Sequence, residues 1–487
     1  MENKTVREPS PFLSFVPVLV LVGLLFVTIR IFGNDALSGA SQIVLLIASA
    51  TCCLIAIGYC QIKWQTIESA IITNIADTAP AIIILLIIGA LSGSWMISGV
   101  VPTLIYYGMG IIHPSFYLVS TCTICAVVSV IIGSSWTTIA TIGVALLGIG
   151  HALGFSSGWI AGAIISGAYF GDKMSPLSDT TILASSVTGT PLFTHIRYLL
   201  ITTIPSMLIT LIIFTIVGFY YDAATTEHIN SYSVYLKKTF NISPWLFIVP
   251  GITLVMIIKR MPAIITLFLS ALLAGSIALF AQPQLLHEIA GAGIDGWGAK
   301  FKGLLVVFYG NTGIETGNIE LNELVSTRGM AGMLNTVWLI ICAMTFGGAL
   351  TASGMLKSII SIFIRFMHRT VSMVTSTVVS GIFLNLTTAD QYISIILTGN
   401  MFKNVYREKG YESRLLGRSI EDAVTVTSPL VPWNTCGMTQ SMILGISTFT
   451  YIPYCFFNWV SPLMSIVVAA LSYKIFKTNS TTFVSTQ

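Results

Sequence analysis

Between Asp77 and Asp172 the chain runs for 94 residues without an Asp, Glu, Lys or Arg, and between Asp422 and Lys474 for a further 51. A water-soluble domain does not leave so much of its surface without charge, so a globular fold in water is excluded. Charged residues make up only 9% of the sequence against 54% hydrophobic ones, with a mean hydropathy of +0.87. The scarcity also excludes partners and chemistries. The net charge of +4 is small, and its basic residues gather in short loops rather than on a face that tracks phosphates, so no nucleic acid is expected. No HExxH pattern occurs, and His113, His151 and His195 stand alone, so neither a metal-enzyme site nor a cofactor is expected. Gly310-Asn-Thr-Gly313 lacks the Gly-Lys-Ser/Thr of a phosphate cradle. Of the eight cysteines, Cys52, Cys53, Cys122, Cys125, Cys342 and Cys455 lie inside apolar runs and read as packing residues.

What is present is a succession of apolar segments, each long enough to cross a hydrocarbon core as helix. They predict an all-α polytopic membrane protein with roughly ten to thirteen spans, beginning with a first spanning helix at 12–32 rather than a removed signal. The segments 134–150 and 388–405 open on small polar residues directly after an apolar run, which predicts broken or re-entrant helices. The segment 423–447 reads as one further span. The loop Lys403–Arg418 carries five basic residues and is expected on the cytoplasmic side.

An internal repeat divides the chain. Ser175-Pro176-Leu177 recurs as Ser428-Pro429-Leu430, an offset of 253 residues. The same offset lays Ser134 of a polar station before the first copy onto Thr387 before the second, and Asp179 faces Asn434 once two residues are allowed for. Three polar stations in one order predict two halves, 1–235 and 236–487, duplicated and inverted in the membrane.

An ionisable group inside a bilayer is costly unless it is paired, hydrated or holding an ion, so each one marks a candidate site. Asp179, Asp390, Asp422, Asp172 and Asp77 qualify. Asp179 has the most suggestive surroundings: Ser175, Ser178 and Thr180 offer hydroxyls, and Pro176 frees a backbone carbonyl, which together suit a hard monovalent cation. The competing reading is a surface loop whose Asp caps a helix. In the second copy Ser428, Pro429, Asn434 and Thr435 take the corresponding places, with Asn434 an uncharged ligand or a helix cap. Asp390, after Thr387, is a second cation or proton site or a cap. Asp422 reads as a solvated acid at a helix start or an access residue, and Asp172 with its neighbour Lys173 as a local ion pair, an entrance charge or a direct cation ligand. Gly158, Gly162 and Ser166, with Gly167 and Gly171, make a smooth helix face for close packing.

The stretch Gly167-Ala-Tyr-Phe-Gly-Asp-Lys-Met-Ser-Pro-Leu-Ser-Asp-Thr-Thr181 resembles the NhaC-type Na⁺/H⁺ antiporter family, as do Glu421-Asp-Ala-Val-Thr-Val-Thr-Ser-Pro-Leu-Val-Pro-Trp-Asn-Thr-Cys-Gly437 and Thr345-Phe-Gly-Gly348 with Leu350. The resemblance runs over nearly the whole chain. It implies a secondary antiporter of the bacterial cytoplasmic membrane with inverted repeats, re-entrant hairpins and alternating access. The family also holds exchangers of Na⁺-lactate for H⁺-malate, so an organic-acid exchanger is the alternative, and a passive channel is the rival from another class. Ile182 departs from the polar residue that many members carry. The expectation is Na⁺/H⁺ exchange with both ions competing for Asp179, Na⁺ being held by Asp179 and Asn434, in a protein compatible with a homodimer.

Overall fold

The computed structural model describes residues 7–33, 36, 39–221, 226–291, 293, 295–317, 321–322 and 325–477. Among these the regular structure is helical, apart from one isolated antiparallel bridge between Tyr411 and Lys477. Among the described residues, nine helices are long and apolar enough to cross a membrane, or eleven if each of two sharply bent pairs is one span, which meets the lower end of the expected range. The protein is a multi-pass membrane protein. In hydrocarbon the backbone must satisfy its own N–H and C=O groups, and helix is the local way to do so.

The first half comprises α1 (Pro11–Phe32), α2 (Ala40–Gly58), α3 (Trp64–Asp77), α4 (Ala79–Ile97), α5 (Val100–Ile111), α6 (Tyr117–Ile132), α7 (Ser135–Ala152), α8 (Ser157–Met174), α9 (Asp179–Thr188) and α10 (Leu192–Tyr220). The boundary placed at 235 and 236 falls inside the connecting α11 (Thr226–Thr239). After it come α12 (Ile248–Ile258), α13 (Ala263–Ala281), α14 (Pro283–Ala290), α15 (Trp297–Tyr309), α16 (Leu334–Ala352) and α17 (Met355–Arg365). The chain then runs through α18 (Thr370–Thr388), α19 (Gln391–Glu408), α20 (Ser413–Ile420), α21 (Thr435–Leu444) and α22 (Phe456–Ala470).

Helix breaks fall at similar places along the two parts of the chain. α4 gives way to α5 at left-handed Gly99 (φ +86°), and α16 to α17 at left-handed Gly354 (φ +72°). α6 ends at left-handed Gly133 (φ +76°), and α18 at left-handed Ala389 (φ +57°). α8 and α9 part at Ser175–Ser178, while α20 and α21 part over a wide π-turn at Glu421–Thr425 and a 3₁₀ turn at Ser428–Leu430. The single span expected over 423–447 is therefore two short helices. Pro429 and Pro432 remove two backbone donors within four residues, so no helix continues through them. The halves also exchange supports: α2 and α3 pack on α16, while α13 and α15 pack on α4.

The break positions shift the register of the repeat. Ser134 caps α7 and Asp390 caps α19, while Ser178 caps α9 and Asn434 caps α21. The structural counterpart of Ser134 is thus Asp390 rather than Thr387, and that of Asn434 is Ser178 rather than Asp179. From the first cap to the tripeptide the second half is three residues shorter than the first (38 against 41), and from the tripeptide to the second cap three longer (6 against 3), so the offset of 253 carries to neither cap.

The glycine face of α8 packs as expected. A Cβ on Gly167 would lie 2.1 Å from the carbonyl oxygen of Cys122 on α6, and one on Gly162 would lie 2.4 Å from the carbonyl of Tyr454. Gly167→Val must push α6 away from α8, and it is expected to cost about 1–3 kcal/mol, the usual range for overpacking. Gly23→Val, at a position with open space around it, is expected to leave thermal unfolding in detergent unchanged. Equal melting of the two variants would refute this packing.

Candidate ion-binding site

In each half the two interrupted helices touch at their breaks. Gly133, which ends α6, faces Leu177 of the α8–α9 break so closely that a Cβ there would lie 2.6 Å from the Leu177 Cβ. Here the N-terminus of α7 points at Asp172, in the last turn of α8. Ser135 donates to Asp172 Oδ2 from its backbone N–H (3.2 Å) and from its hydroxyl (2.7 Å), and Ser178 donates its hydroxyl to Oδ1 (2.6 Å). The Thr180 hydroxyl extends the cluster, 2.9 Å from Ser178 Oγ. The aligned peptide dipoles of the helix N-terminus and the direct donors favour the charged carboxylate, against the cost of burying it. Asp172 is 6% exposed.

The second half answers with Asp390. Its Oδ1 accepts from the Ile393 N–H (2.9 Å), capping α19, and its Oδ2 accepts from the Thr435 hydroxyl (3.1 Å). Thr435 N–H in turn donates to the Ala389 carbonyl (2.8 Å), so the two breaks are tied through the backbone. Asn434 accepts from the Cys436 N–H (3.0 Å) and donates to the Asn385 carbonyl (3.2 Å). Asn385 itself donates to Val424 O (2.7 Å) and Thr427 Oγ1 (3.1 Å), yet its own Oδ1 is buried without a partner. A buried carbonyl oxygen left free among hydroxyls is a ready cation ligand. Ser428 donates to Gln391 Oε1 (3.0 Å).

The two sites adjoin. Tyr392 lies within electrostatic reach of Asp172, Asp179 and Asp390 alike, and Gln440 of α21 donates to the Tyr169 hydroxyl of α8 (3.3 Å). The structure also places residues away from these carboxylates. Asp179 is exposed on the first turn of α9, Ser175 donates to Val130 O (2.8 Å), and Thr387 back-bonds to Phe383 O (2.9 Å). Pro176 is exposed in its turn, and the Pro429 carbonyl accepts from the Tyr451 hydroxyl (2.9 Å). Asp77 ends α3, with Thr78 alone between it and the start of α4.

Asp422 and Lys173 require a correction. Asp422 is fully buried within the π-turn rather than solvated, and Lys173 pairs with Asp422 rather than with its neighbour Asp172. Oδ1 of Asp422 also accepts from Thr202 (3.1 Å) and Ser461 (2.8 Å), and Lys173 donates to Ser461 Oγ (3.1 Å). The pair joins the halves, which sequence neighbourhood could not reveal. Thr202, Ser461 and Asn385 were missed because small polar residues scattered in apolar runs usually back-bond to their own helix.

Helices interrupted in pairs, with hydroxyls, carboxylates and half-helix ends converging inside the membrane part, define the architecture of an ion-coupled secondary transporter. The chain belongs to the Na⁺/H⁺ antiporter family, whose profile matches residues 167–472. It is 35% identical over 422 residues to the Na⁺/H⁺ antiporter NhaC of Alkalihalophilus pseudofirmus, covering 87% of this chain and 88% of that one. It is 36% identical to the malate-2H⁺/Na⁺-lactate antiporter of Bacillus subtilis, covering 88% of each. It is 30% identical to the arginine/ornithine antiporter ArcD of Halobacterium salinarum, covering 96% and 94%. The NhaC-type resemblance carried by the two motif stretches therefore holds across most of the chain.

Proposed function

We propose that the protein exchanges Na⁺ for protons by alternating access, with the two ions competing for Asp172. The observation that carries this reading is the convergence of the Ser135 N–H and the Ser135 and Ser178 hydroxyls on that buried carboxylate. A hydroxyl both donates and accepts. Turning the two hydroxyl hydrogens away from Asp172 presents their oxygens, with Thr180 Oγ1, to a cation beside the carboxylate. A proton on Asp172 neutralises the same charge. The two occupied forms are electrically alike, whereas the bare carboxylate is a buried charge, which opposes reorientation when the site is empty. Exchange follows without ATP. Asp390, with Thr435, Asn434 and the free Asn385 oxygen, forms a second station for the cation, and exposed Asp179 stands at the approach.

The relatives named as Na⁺/H⁺ antiporters support this choice, while the malate and lactate antiporter keeps the organic-acid reading in view. Recognition of an organic carboxylate calls for a free cation; Lys173 is already committed to Asp422, and the group that would serve is Arg418, fully buried with its guanidinium nitrogens free of hydrogen-bond partners. The halves are taken as inverted, with the basic loop 403–418 facing the cytoplasm of a bacterial cell. A pH gradient across proteoliposomes tests the reading. Added Na⁺ alone is expected to drive proton movement, and malate with lactate to add nothing. Flux that needs both organic acids would replace this reading, and Na⁺ passage without proton movement would indicate a channel.

A further inference from the structure

Arg418, on the last turn of α20, is fully buried, and none of its Nε, Nη1 and Nη2 atoms has a hydrogen-bond partner. A buried cation without an anion is costly, because it gives up its water and receives no counter-charge in return. Glu421, the acid one turn on, makes no hydrogen bond to it. What the guanidinium does have is the ring of Tyr198 on α10, with Cζ 4.7 Å from the ring centroid. An aromatic face attracts a cation but leaves its N–H groups unanswered. Arg414, one turn earlier on α20, stands 5.3 Å from the same ring and pairs with Glu412. Two guanidiniums therefore gather around one tyrosine.

The C-terminal end of the described chain closes this place. After α22 ends at Ala470, the backbone turns back through two left-handed residues that are not glycine, Ser472 (φ +51°) and Lys474 (φ +49°). Such conformations persist only where the surroundings enforce them. Here the surroundings are Tyr198 and the basic loop. The Tyr198 hydroxyl donates to the Lys474 carbonyl (2.9 Å), the Glu412 N–H donates to the Phe476 carbonyl (3.2 Å), and Lys477 faces Tyr411 in the antiparallel bridge. Phe476 packs on Arg414, its ring centroid 3.9 Å from Cζ. Residues 473–477 thus form a strap, laid over Tyr198 and under backbone strain.

We propose that Arg418 and Arg414 bind the phosphate of an anionic lipid headgroup, admitted when the strap of residues 473–477 lifts from Tyr198. A guanidinium fork matches two phosphate oxygens at once, and basic pockets between spanning helices on a membrane's inner side suit such headgroups. Lys474 and Lys477, on the strap itself, add positive charge at the rim, and exposed Leu471 and Tyr473 offer apolar surface to an acyl chain. Arg418 makes no hydrogen bond to Asp172 or Asp390, so the inference does not depend on the exchange reading above.

Thermal unfolding of the purified full-length protein in detergent tests it, with phosphatidylglycerol, inorganic phosphate or malate titrated in. Phosphatidylglycerol is expected to raise the melting temperature, and Arg418→Met to raise its half-saturating concentration by about 10- to 100-fold, the loss expected with hydrogen bonds to a charged group. The same Arg418-dependent rise with inorganic phosphate supports the phosphate site and makes the free ion its source. A rise that is unchanged in Arg418→Met, a rise with malate alone, or no rise at all overturns the proposal. Should Arg418→Met fail to insert, the strap supplies a second test. Tyr411 and Lys477 face each other as a pair without mutual hydrogen bonds, where Cα atoms stand about 4.5 Å apart, within disulfide range. Oxidising Tyr411→Cys with Lys477→Cys is expected to abolish the lipid-induced rise, and reduction to restore it. A rise that survives oxidation shows that the strap does not close the site and overturns the proposal.

Discussion

Asp172→Asn is expected to abolish Na⁺/H⁺ exchange in proteoliposomes while the protein still inserts and keeps its melting temperature. The amide retains an acceptor for Ser135, and its NH₂ can donate to the hydroxyl oxygens nearby, so the local hydrogen bonds re-form. What disappears is the charge for which both ions compete. Without it the site neither attracts Na⁺ nor titrates, so Na⁺/H⁺ exchange and the exchange of labelled Na⁺ for Na⁺ fail together. Asp179→Asn tests the other aspartate of the same break. Being exposed on the first turn of α9, it is expected to lower apparent Na⁺ affinity while leaving exchange intact. The reverse order, with Asp179→Asn dead and Asp172→Asn active, would move the centre to Asp179.

Lys173→Met is expected to destabilise the protein by about 3–5 kcal/mol, the range found when one partner of a buried ion pair is removed. Asp422 would keep Thr202 and Ser461 as donors, but its charge would have no counter-ion and no water. Asp422→Asn strands the ammonium in the same way. The double variant, with neither charge present, is expected to recover most of the loss, because a buried pair is worth far less than the penalty of breaking it. Thermal unfolding of the three variants in detergent measures this directly. If Lys173→Met melted normally and lost only the response to an organic acid, Lys173 would be a substrate ligand rather than a structural partner.

Much of this architecture was legible in the chain, because a bilayer restricts the choices. Uncharged runs longer than a hydrocarbon crossing become helices, and the polar stations at 134 and 388 do fall where one helix ends and the next begins, but the helices that follow, α7 and α19, are not broken and run on for 18 residues each. The Ser-Pro-Leu copies lie at corresponding breaks. Contacts that join distant segments were not legible. The Asp172-Lys173 pair reads as local, yet Lys173 turns to the second half while Asp172 receives the start of α7. Glu421 and Asp422 follow a basic loop and so read as acids at a helix start, but α20 begins eight residues before Glu421 and runs straight into the π-turn that holds both. Among the sequence candidates Asp179 had the most suggestive neighbours. Those neighbours, Ser178 above all, face Asp172, since a capping serine turns its hydroxyl across the break rather than toward the next residue.

The measurement that bears most directly on the central claim is Na⁺ binding to the purified protein over a range of pH. Competition for one carboxylate has a definite sign: protons occupy the site as pH falls, so Na⁺ affinity must drop. Below the pKa of the site the half-saturating Na⁺ concentration is predicted to rise about tenfold per pH unit, one proton being displaced by each Na⁺. Above it the affinity is predicted to level off, and Asp172→Asn is predicted to remove the dependence together with the binding. An affinity independent of pH, or one that keeps its pH dependence in Asp172→Asn, would contradict exchange by competition at Asp172.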